Sequence, residues 1–289
     1  MNLKNILTEI EKVDPEVYER MDTRRNSMKR FAFAGKVLAA AAIPFAFGGM
    51  FKKAYGQSTG EIVDVLNFAL TLEYLEAEFY KQAVASAAVG TASAADKAAL
   101  TLIRDHEIAH VAFLRAAIMP IGTPVSFTAN DFDFSGGNGS GTGPFATAFV
   151  NYDLLLAVAQ VFEDTGVRAY KGQAANLMSN NDVLTAALRI HSVEARHAAK
   201  IRYMRKNKPS ALVTGNIQPW IIGKMSNIEA GAANAAIQPS YDGEEITTQA
   251  TVDIVGIGGT AVTAEDASGA FDEPLTKAQV LAIVDPFIK

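Results

Sequence analysis

The sequence predicts an all-α fold in which four long helices form a bundle and an irregular segment follows them. Apolar residues recur at three- and four-residue steps in four long stretches, as in helices with one buried face. Short links join the first stretch to the second and the third to the fourth, whereas a long glycine-rich segment separates the second from the third. The chain has 289 residues, of which 49% are hydrophobic, and this is enough for one sizeable core.

The first two predicted helices have recognisable ends. The first covers about 58–89 and opens with Ser58-Thr59-Gly60-Glu61, a capping-box pattern in which side chains satisfy free backbone N–H groups. The second covers about 94–119, with Ser93 as its N-cap and Pro120 just beyond its end. Because the link between them is short, we expect them to be antiparallel neighbours.

The third and fourth predicted helices follow a long connection. The segment 120–143 is rich in glycine and spans the bundle as a crossover between helices 2 and 3. The third helix is expected to begin near Pro144, a favoured first helical residue, and to reach about 178. The fourth covers about 181–206. The bundle is therefore expected over 58–206.

The remaining part, 207–289, is predicted to be an irregular C-terminal extension with a terminal helix. It is rich in Ala, Gly, Thr and Pro. A weak alternation from Thr247 to Ile257 suggests an extended segment. The run from Thr276 to Gln279 is a second capping-box pattern and opens a helix towards Ile288. This extension shows no catalytic motif, so we expect it to serve packing, capping or self-association into a homo-oligomer.

The composition excludes several classes of function. The formal net charge is −5, and the acidic excess is larger beyond residues 1–56, which hold ten basic and six acidic residues. Such a surface repels phosphate backbones and attracts cations, so a nucleic-acid partner is not expected. The chain has no cysteine, which excludes disulfides, zinc–thiolate sites and cysteine nucleophiles. Any bound metal must be held by carboxylates and the four histidines.

Residues 1–57 resemble a twin-arginine export signal. The stretch from Thr23 to Lys29 contains the arginine pair, although Ser27 stands where Phe is usual in that signal. A weakly hydrophobic run from Phe31 to Phe51 follows, and Ala54-Tyr55-Gly56 offers a small-x-small cleavage site. The prediction is export to the periplasm by the twin-arginine machinery. An uncleaved membrane anchor and an amphipathic helix packed on the domain remain as alternatives.

Two Glu-x-x-His pairs point to metal binding. They are Glu107 with His110 and Glu194 with His197, on the second and fourth predicted helices. Side chains three positions apart on a helix lie on one face, so each pair can bind a single ion. Both pairs lie on apolar stripes, where a carboxylate is costly to bury unless it is paired or coordinates a metal.

The other two helices each add one carboxylate on a matching stripe. Glu73 precedes Tyr80 by the same seven residues that separate Glu163 from Tyr170, so the two halves of the bundle form an internal repeat. The order along the chain is Glu, Glu-x-x-His, Glu, Glu-x-x-His, the ligand set of di-iron and di-manganese carboxylate bundles. A single such pair is more often a helix salt bridge or cap, but the repeated set on buried faces favours metal binding.

Four stretches resemble the ferritin-like superfamily, and most closely its exported ferritin-like domain branch, which includes plant desiccation-related proteins. The resemblance covers about 58–206 and the last helix, and it implies a ferritin-like four-helix bundle. It also implies that Glu73 and Glu163 are terminal ligands, that Glu107 and Glu194 bridge, and that His110 and His197 each complete one ion. The stretches are DVLNFALTLEYLEAEFYKQA, RDHEIAHVAFL, VFEDTGVRAYKGQA and HSVEARHAAKIR.

Several neighbouring residues are weaker candidates for the metal site. His106 adjoins Glu107 and is expected off the metal face, on the surface or beside a ligand, and His191 is a less favoured accessory ligand. The two repeated tyrosines are expected to be core residues or hydrogen-bond donors rather than redox tyrosines. Glu76 and Glu78 are predicted to lie on a solvated face. Glu76 is the exception to follow, because it lies one turn from Glu73 on the same side of the helix. Its repeat equivalent, Gly166, leaves room beside Glu163.

The ligand set predicts two iron ions, with manganese as the alternative, because carboxylates and imidazoles suit both. Two Fe(II) ions would allow oxidation by dioxygen or peroxide, which makes the protein a candidate ferroxidase or di-iron oxidoreductase. Two alternatives remain open. The protein can bind metal without catalysis, or it can be a structural stress protein of the desiccation type whose bundle the metal stabilises.

Overall fold

A computed structural model describes residues 59–259 and 261–289, and these residues form the expected helical bundle. The predicted export signal and Ser58 of the first capping box lie outside the described residues. Within the described ranges, no helix is both long and apolar enough to cross a membrane. The bundle helices, with one short helix between the first two, are α1 (Thr59–Ala85), α2 (Ala87–Gly90), α3 (Ala94–Ile118), α4 (Tyr152–Ala174) and α5 (Asn181–Lys206).

The helices pack mainly as two pairs, α1 with α3 and α4 with α5. Each contributes fully buried apolar side chains to one core. Leu70 of α1, Leu100 of α3, Leu155 of α4 and Ile201 of α5 are all 0% exposed. The all-α prediction is therefore confirmed.

Side-chain caps set the helix boundaries. Ser93 accepts a hydrogen bond from the backbone N–H of Asp96 and starts α3 as predicted. The predicted start of the third helix at Pro144 is wrong, because 144–150 form turns and α4 begins at Tyr152. Asn151 is the cause, since its side chain accepts from two backbone N–H groups of the first turn.

The first predicted helix also ends earlier than expected. The chain leaves the helix at Ser86, whose side chain accepts from the backbone N–H of Val89 and so starts the short helix α2. One continuous helix to 89 is therefore wrong, although the short link to α3 remains. A further difference lies at the end of α4, where a 3-10 turn at Ala175–Leu177 replaces the last predicted helical turn.

The crossover between α3 and α4 is organised by a buried carboxylate. Asp133 Oδ2 accepts the backbone N–H groups of Gly139 at 2.9 Å and Gly141 at 3.0 Å. Both glycines have a positive φ, at 86° and 70°, which other residues rarely adopt. The backbone N–H of Asp133 donates to Phe287 O at 2.8 Å, so the crossover is joined to the C-terminal end of the chain.

The C-terminal extension is mostly irregular, as predicted. The expected extended segment at 247–257 contains only a two-residue antiparallel hairpin. The capping box at Thr276 is confirmed, but the terminal helix stops before Ile288 and a 3-10 turn follows it. The helices and strands of the extension are α6 (Asn234–Ile237), β1 (Thr248–Gln249), β2 (Val252–Asp253), α7 (Ala264–Gly269) and α8 (Lys277–Val284). The further 3-10 turns among the described residues are Ala129–Asp131 in the crossover and Gly231–Ala233, Gln238–Ser240, Ile257–Gly259 and Asp285–Phe287 in the extension.

Buried polar contacts join the extension to α4. The guanidinium of Arg168 is 1% exposed and donates to the backbone oxygens of Ser240, Asp242 and Glu273 at 2.7, 2.9 and 2.7 Å. It also forms an ion pair with Glu244 at 2.6 Å. These contacts satisfy a charge that would be very costly to bury alone, so the extension is part of the folded bundle.

Candidate metal centre

The six predicted ligands meet in the middle of the bundle. Each helix supplies its share from the face that points to the core, as the three-residue spacing requires. All four glutamates are 0% exposed, and the two histidines are 9% and 4% exposed. The residues are Glu73 from α1, Glu107 and His110 from α3, Glu163 from α4, and Glu194 and His197 from α5.

The six residues fall into two overlapping groups, each able to surround one ion. One group consists of Glu73, Glu107, His110 and Glu194, and the other of Glu107, Glu163, Glu194 and His197. Within each group the four ligand atoms lie within 4.8 Å of one another. Glu107 and Glu194 belong to both groups, so their position is that of bridging carboxylates.

In the first group the ring of His110 faces three carboxylates. Its Nδ1 lies 3.0 Å from Glu73 Oε2 and 3.1 Å from Glu107 Oε2. The distance from the same nitrogen to Glu194 Oε1 is also 3.1 Å. One nitrogen therefore lies at the centre of oxygens from three different helices.

In the second group His197 plays the matching part. Its Nδ1 lies 2.8 Å from Glu107 Oε1, 3.4 Å from Glu163 Oε2 and 3.8 Å from Glu194 Oε2. The ring nitrogen on the other side, Nε2, lies 2.9 Å from Nδ1 of His106. His197 thus turns one nitrogen to the carboxylates and has its other nitrogen occupied by a second histidine.

Several buried atoms of the centre have no hydrogen-bond partner. They are Oε1 of Glu107, Oε2 of Glu163, both carboxylate oxygens of Glu194 and Nδ1 of His197. Buried polar atoms are normally satisfied, and each such unpaired atom needs an explanation. Carboxylate oxygens and imidazole nitrogens converging on one place are suitable ligands for divalent metal ions. The residues present therefore fit a pair of metal ions.

Burial and mutual contact shift the protonation of these groups in opposite directions. Burial raises the pKa of Glu107 well above its usual range, and that of Glu163 to about 7. Burial opposes ionisation of Glu194 as well, but the neighbouring rings of His110 and His197 lower its pKa to about 2. Burial lowers the pKa of both histidines, but the surrounding carboxylates outweigh it. They raise the pKa of His197 to about 12, with Glu163 making the largest contribution, and they also raise the pKa of His110, with Glu73 making the largest contribution. Without metal, protons on the two rings therefore supply the positive charge of the centre.

The repeated tyrosines make crossed contacts between α1 and α4. Tyr80 of α1 donates to Glu163 Oε1 of α4 at 2.5 Å, and Tyr170 of α4 donates to Glu73 Oε1 of α1. Burial, followed by the neighbouring glutamate, raises the pKa of both phenols well above 10, so both remain protonated donors. Each tyrosine therefore fixes the terminal carboxylate of the opposite half of the repeat.

The two remaining histidines lie outside the two ligand groups. His106 contacts His197 rather than the centre itself, in agreement with its predicted place off the metal face. His191 does not belong to either ligand group, and its Nε2 is buried without a hydrogen-bond partner. The sequence pattern gave His191 some weight as an accessory ligand, and the structure does not bring it to the others.

Glu76 was predicted on a solvated face and is instead buried, with only 3% exposed. Glu78 is partly exposed, with 12% of its side chain accessible, and it pairs with Lys81 at 2.6 Å. The difference follows from helix geometry, since Glu76 lies one turn after Glu73 and therefore on the same inward side. The sequence held two signals for it, which were its one-turn spacing from Glu73 and the small residue Gly166 at the repeat-equivalent position on α4.

Comparison with protein families agrees with this architecture. The sequence model of the ferritin-like domain matches residues 61–207, just over half of the chain. The protein therefore belongs to the ferritin-like family, and its bundle with a buried glutamate and histidine centre is the matched part. Comparisons with curated proteins and with solved structures give no match.

Proposed function

We propose that this protein is a di-metal carboxylate protein that binds two iron ions and oxidises Fe(II) with dioxygen or peroxide. The observation that supports it most is the pair of overlapping groups sharing Glu107 and Glu194. Two ions held by these shared carboxylates would lie close together, and they would then be able to supply two electrons to one small molecule. Manganese is the alternative metal, because the same donors suit it.

Charge balance supports two divalent ions. The four glutamates of the two groups provide four negative charges when ionised, and two divalent cations balance them when both imidazoles are neutral. A single ion would leave buried carboxylates uncompensated, which is strongly unfavourable in a low-dielectric core. The donor set thus favours occupation of both positions together.

Two bound Fe(II) ions can supply the two electrons that reduce peroxide to water or dioxygen to peroxide. The chain's own residues prepare the site for this. Tyr80 and Tyr170 hold the terminal carboxylates in place through their hydrogen bonds. His106 occupies the outer nitrogen of His197, which leaves Nδ1 directed at the centre. Apolar side chains of the four helices exclude bulk water.

The test is an anaerobic titration of metal-free protein with Fe(II), followed by exposure to oxygen or peroxide. We expect close to two ions per chain and rapid oxidant consumption on mixing. The variants His110→Ala and His197→Ala should each weaken one site, because each ring belongs to one group. Fe(II) binding without oxidation would favour a sequestering role, and absence of metal binding would leave a structural protein.

We also propose that the chain is exported by the twin-arginine route, as in the exported branch that the sequence resembles. Arg24 and Arg25, followed by a weakly hydrophobic run, support this proposal. Replacing both arginines with lysine should retain the precursor in the cytoplasm, whereas Arg20→Lys should not. Periplasmic protein in the double variant at the wild-type level would contradict this route.

A further inference from the structure

The face of the metal centre towards α1 and α4 holds an additional carboxylate. Glu76 is 3% exposed, lies one turn after Glu73 and does not belong to either ligand group. Within the described part of the chain, no hydrogen bond or ion pair reaches it. The charged groups that act on it most strongly are the four glutamates of the centre. A buried carboxylate without a partner needs an explanation.

Gly166 creates the space between Glu76 and the centre. A Cβ atom at this position would lie 3.2 Å from Glu76 Oε1 and 3.6 Å from Glu194 Oε2. Both oxygens therefore lie next to the position that a Cβ atom would occupy. A side chain at 166 would crowd Glu76 Oε1, and glycine costs about 1 kcal/mol relative to alanine inside a helix. Glycine at this position therefore destabilises the helix slightly, and the open space that it leaves beside Glu76 is a reason for its presence.

A cavity of about 10 Å³ adjoins Glu76, with walls from Leu72, Phe162, Gly166 and Val284. This is room for about one water molecule, or for a carboxylate to rotate. Val284 belongs to the terminal helix α8, so the C-terminal extension closes this side of the centre.

We propose that Glu76 is a fifth carboxylate donor of the metal centre, which turns through the space left by Gly166 to bind the metal pair. This inference rests on the proposed function. The extra charge matters most for trivalent ions. Four carboxylates already balance two divalent ions, whereas two trivalent ions leave positive charge that a fifth carboxylate reduces. The protein should therefore favour a trivalent pair over a divalent one.

The test compares Co(II) and Ga(III), two metals that do not change oxidation state on binding. Each is titrated into metal-free protein against a competing chelator, which gives stoichiometry and affinity without any activity measurement. The variants are Glu76→Gln, Gly166→Ala and the matched control Glu78→Gln, a glutamate of the same helix that belongs to neither ligand group and pairs with Lys81. Visible absorption of bound Co(II) reports changes in coordination.

We expect wild-type protein and Glu78→Gln to bind two ions of each metal with the same Ga(III)-to-Co(II) affinity ratio. Glu76→Gln should lower that ratio by about tenfold or more, as expected for loss of an adjacent opposite charge. Gly166→Ala should lower it in the same direction, because the new methyl group fills the path. Two bound ions with an unchanged ratio in Glu76→Gln would overturn this inference alone. No binding of either metal by wild-type protein would overturn it together with the proposed function.

Discussion

The phenol of Tyr80 donates a 2.5 Å hydrogen bond to Glu163, and Tyr170 returns the contact to Glu73 from the opposite helix. Each terminal carboxylate is therefore oriented by a residue from the other half of the repeat. We expect Tyr80→Phe and Tyr170→Phe each to weaken mainly one metal site, by about 10–100-fold. Competition titration with Fe(II) or Mn(II) measures this. Tyr203→Phe, on the exposed surface of α5, is the control. Equal metal affinities in the wild type and all three variants would contradict the role of the two buried tyrosines in orienting the carboxylates.

Metal-free protein should lose stability as the pH rises from about 5 to about 9. The pKa of Glu163 is raised from 4.5 to about 7 and that of His197 from 6.5 to about 12. The folded state therefore binds protons that the unfolded chain has released, and raising the pH removes that stabilisation. We expect the melting temperature to fall by about 5 °C or more over this range. Thermal unfolding with chelator at several pH values checks it, and a rising melting temperature would show the opposite sign.

Replacing the two bridging glutamates should have unequal effects on the metal-free protein. Burial raises the pKa of Glu107 well above its usual range and so disfavours its charged form. Glu107→Gln, which places a neutral group there, should therefore cost about 1 kcal/mol or less. Glu194 is ionised and lies between His110 and His197. Glu194→Gln removes this negative charge from two buried imidazolium rings and should lower the free energy of unfolding by about 3 kcal/mol. Denaturant unfolding in the presence of chelator compares them. Equal losses would mean that the two carboxylates share one protonation state.

Metal binding should release protons. His110 and His197 are protonated in the metal-free centre and must become neutral to bind an ion through nitrogen. At neutral pH we therefore expect about two or more protons per chain on saturation with Mn(II). Calorimetry in buffers of different ionisation enthalpy measures the number. Apparent affinity that does not increase with pH would be inconsistent with these protonated rings.

The ion pair between Arg168 and Glu244 should matter for the whole bundle. Arg168→Leu removes the cation that pairs with Glu244 and leaves three backbone oxygens of the extension without the guanidinium donor. We expect a loss of about 3–5 kcal/mol in the free energy of unfolding. The control is Arg189→Leu on the exposed face of α5, which should change stability by about 0.5 kcal/mol at most. A small effect of Arg168→Leu would mean that the extension is only loosely attached.

The bundle and the meeting of the six candidate ligand residues could be predicted because both depend on helical spacing. A glutamate and a histidine three residues apart share a face wherever the helix lies, and the repeat fixes which faces meet. The start of α4 was missed, since Asn151 caps more effectively than Pro144 begins a helix. The inward position of Glu76 was given too little weight. Its one-turn spacing from Glu73 placed it on the same side of the helix, but a charged side chain was still assigned to solvent.

The extension could not be predicted in the same way. Arg168 is held largely by backbone oxygens, which every residue possesses, so no sequence pattern marks Ser240 or Asp242 as its partners. Similarly, Arg202 pairs with Asp164, and Tyr241 donates to the same carboxylate at 2.8 Å. These contacts join residues far apart in sequence without periodicity. Only the fold brings them together.

The dependence of Arg168 on the extension has a consequence for synthesis. Its partner Glu273 follows 105 residues later in the chain. At about 5–20 residues per second, the ribosome makes Glu273 about 5–20 s after Arg168. The ribosome has therefore made all six residues of the centre, on α1, α3, α4 and α5, before it makes Glu273. During that interval the wall that Val284 of α8 provides beside Glu76 has not yet been made.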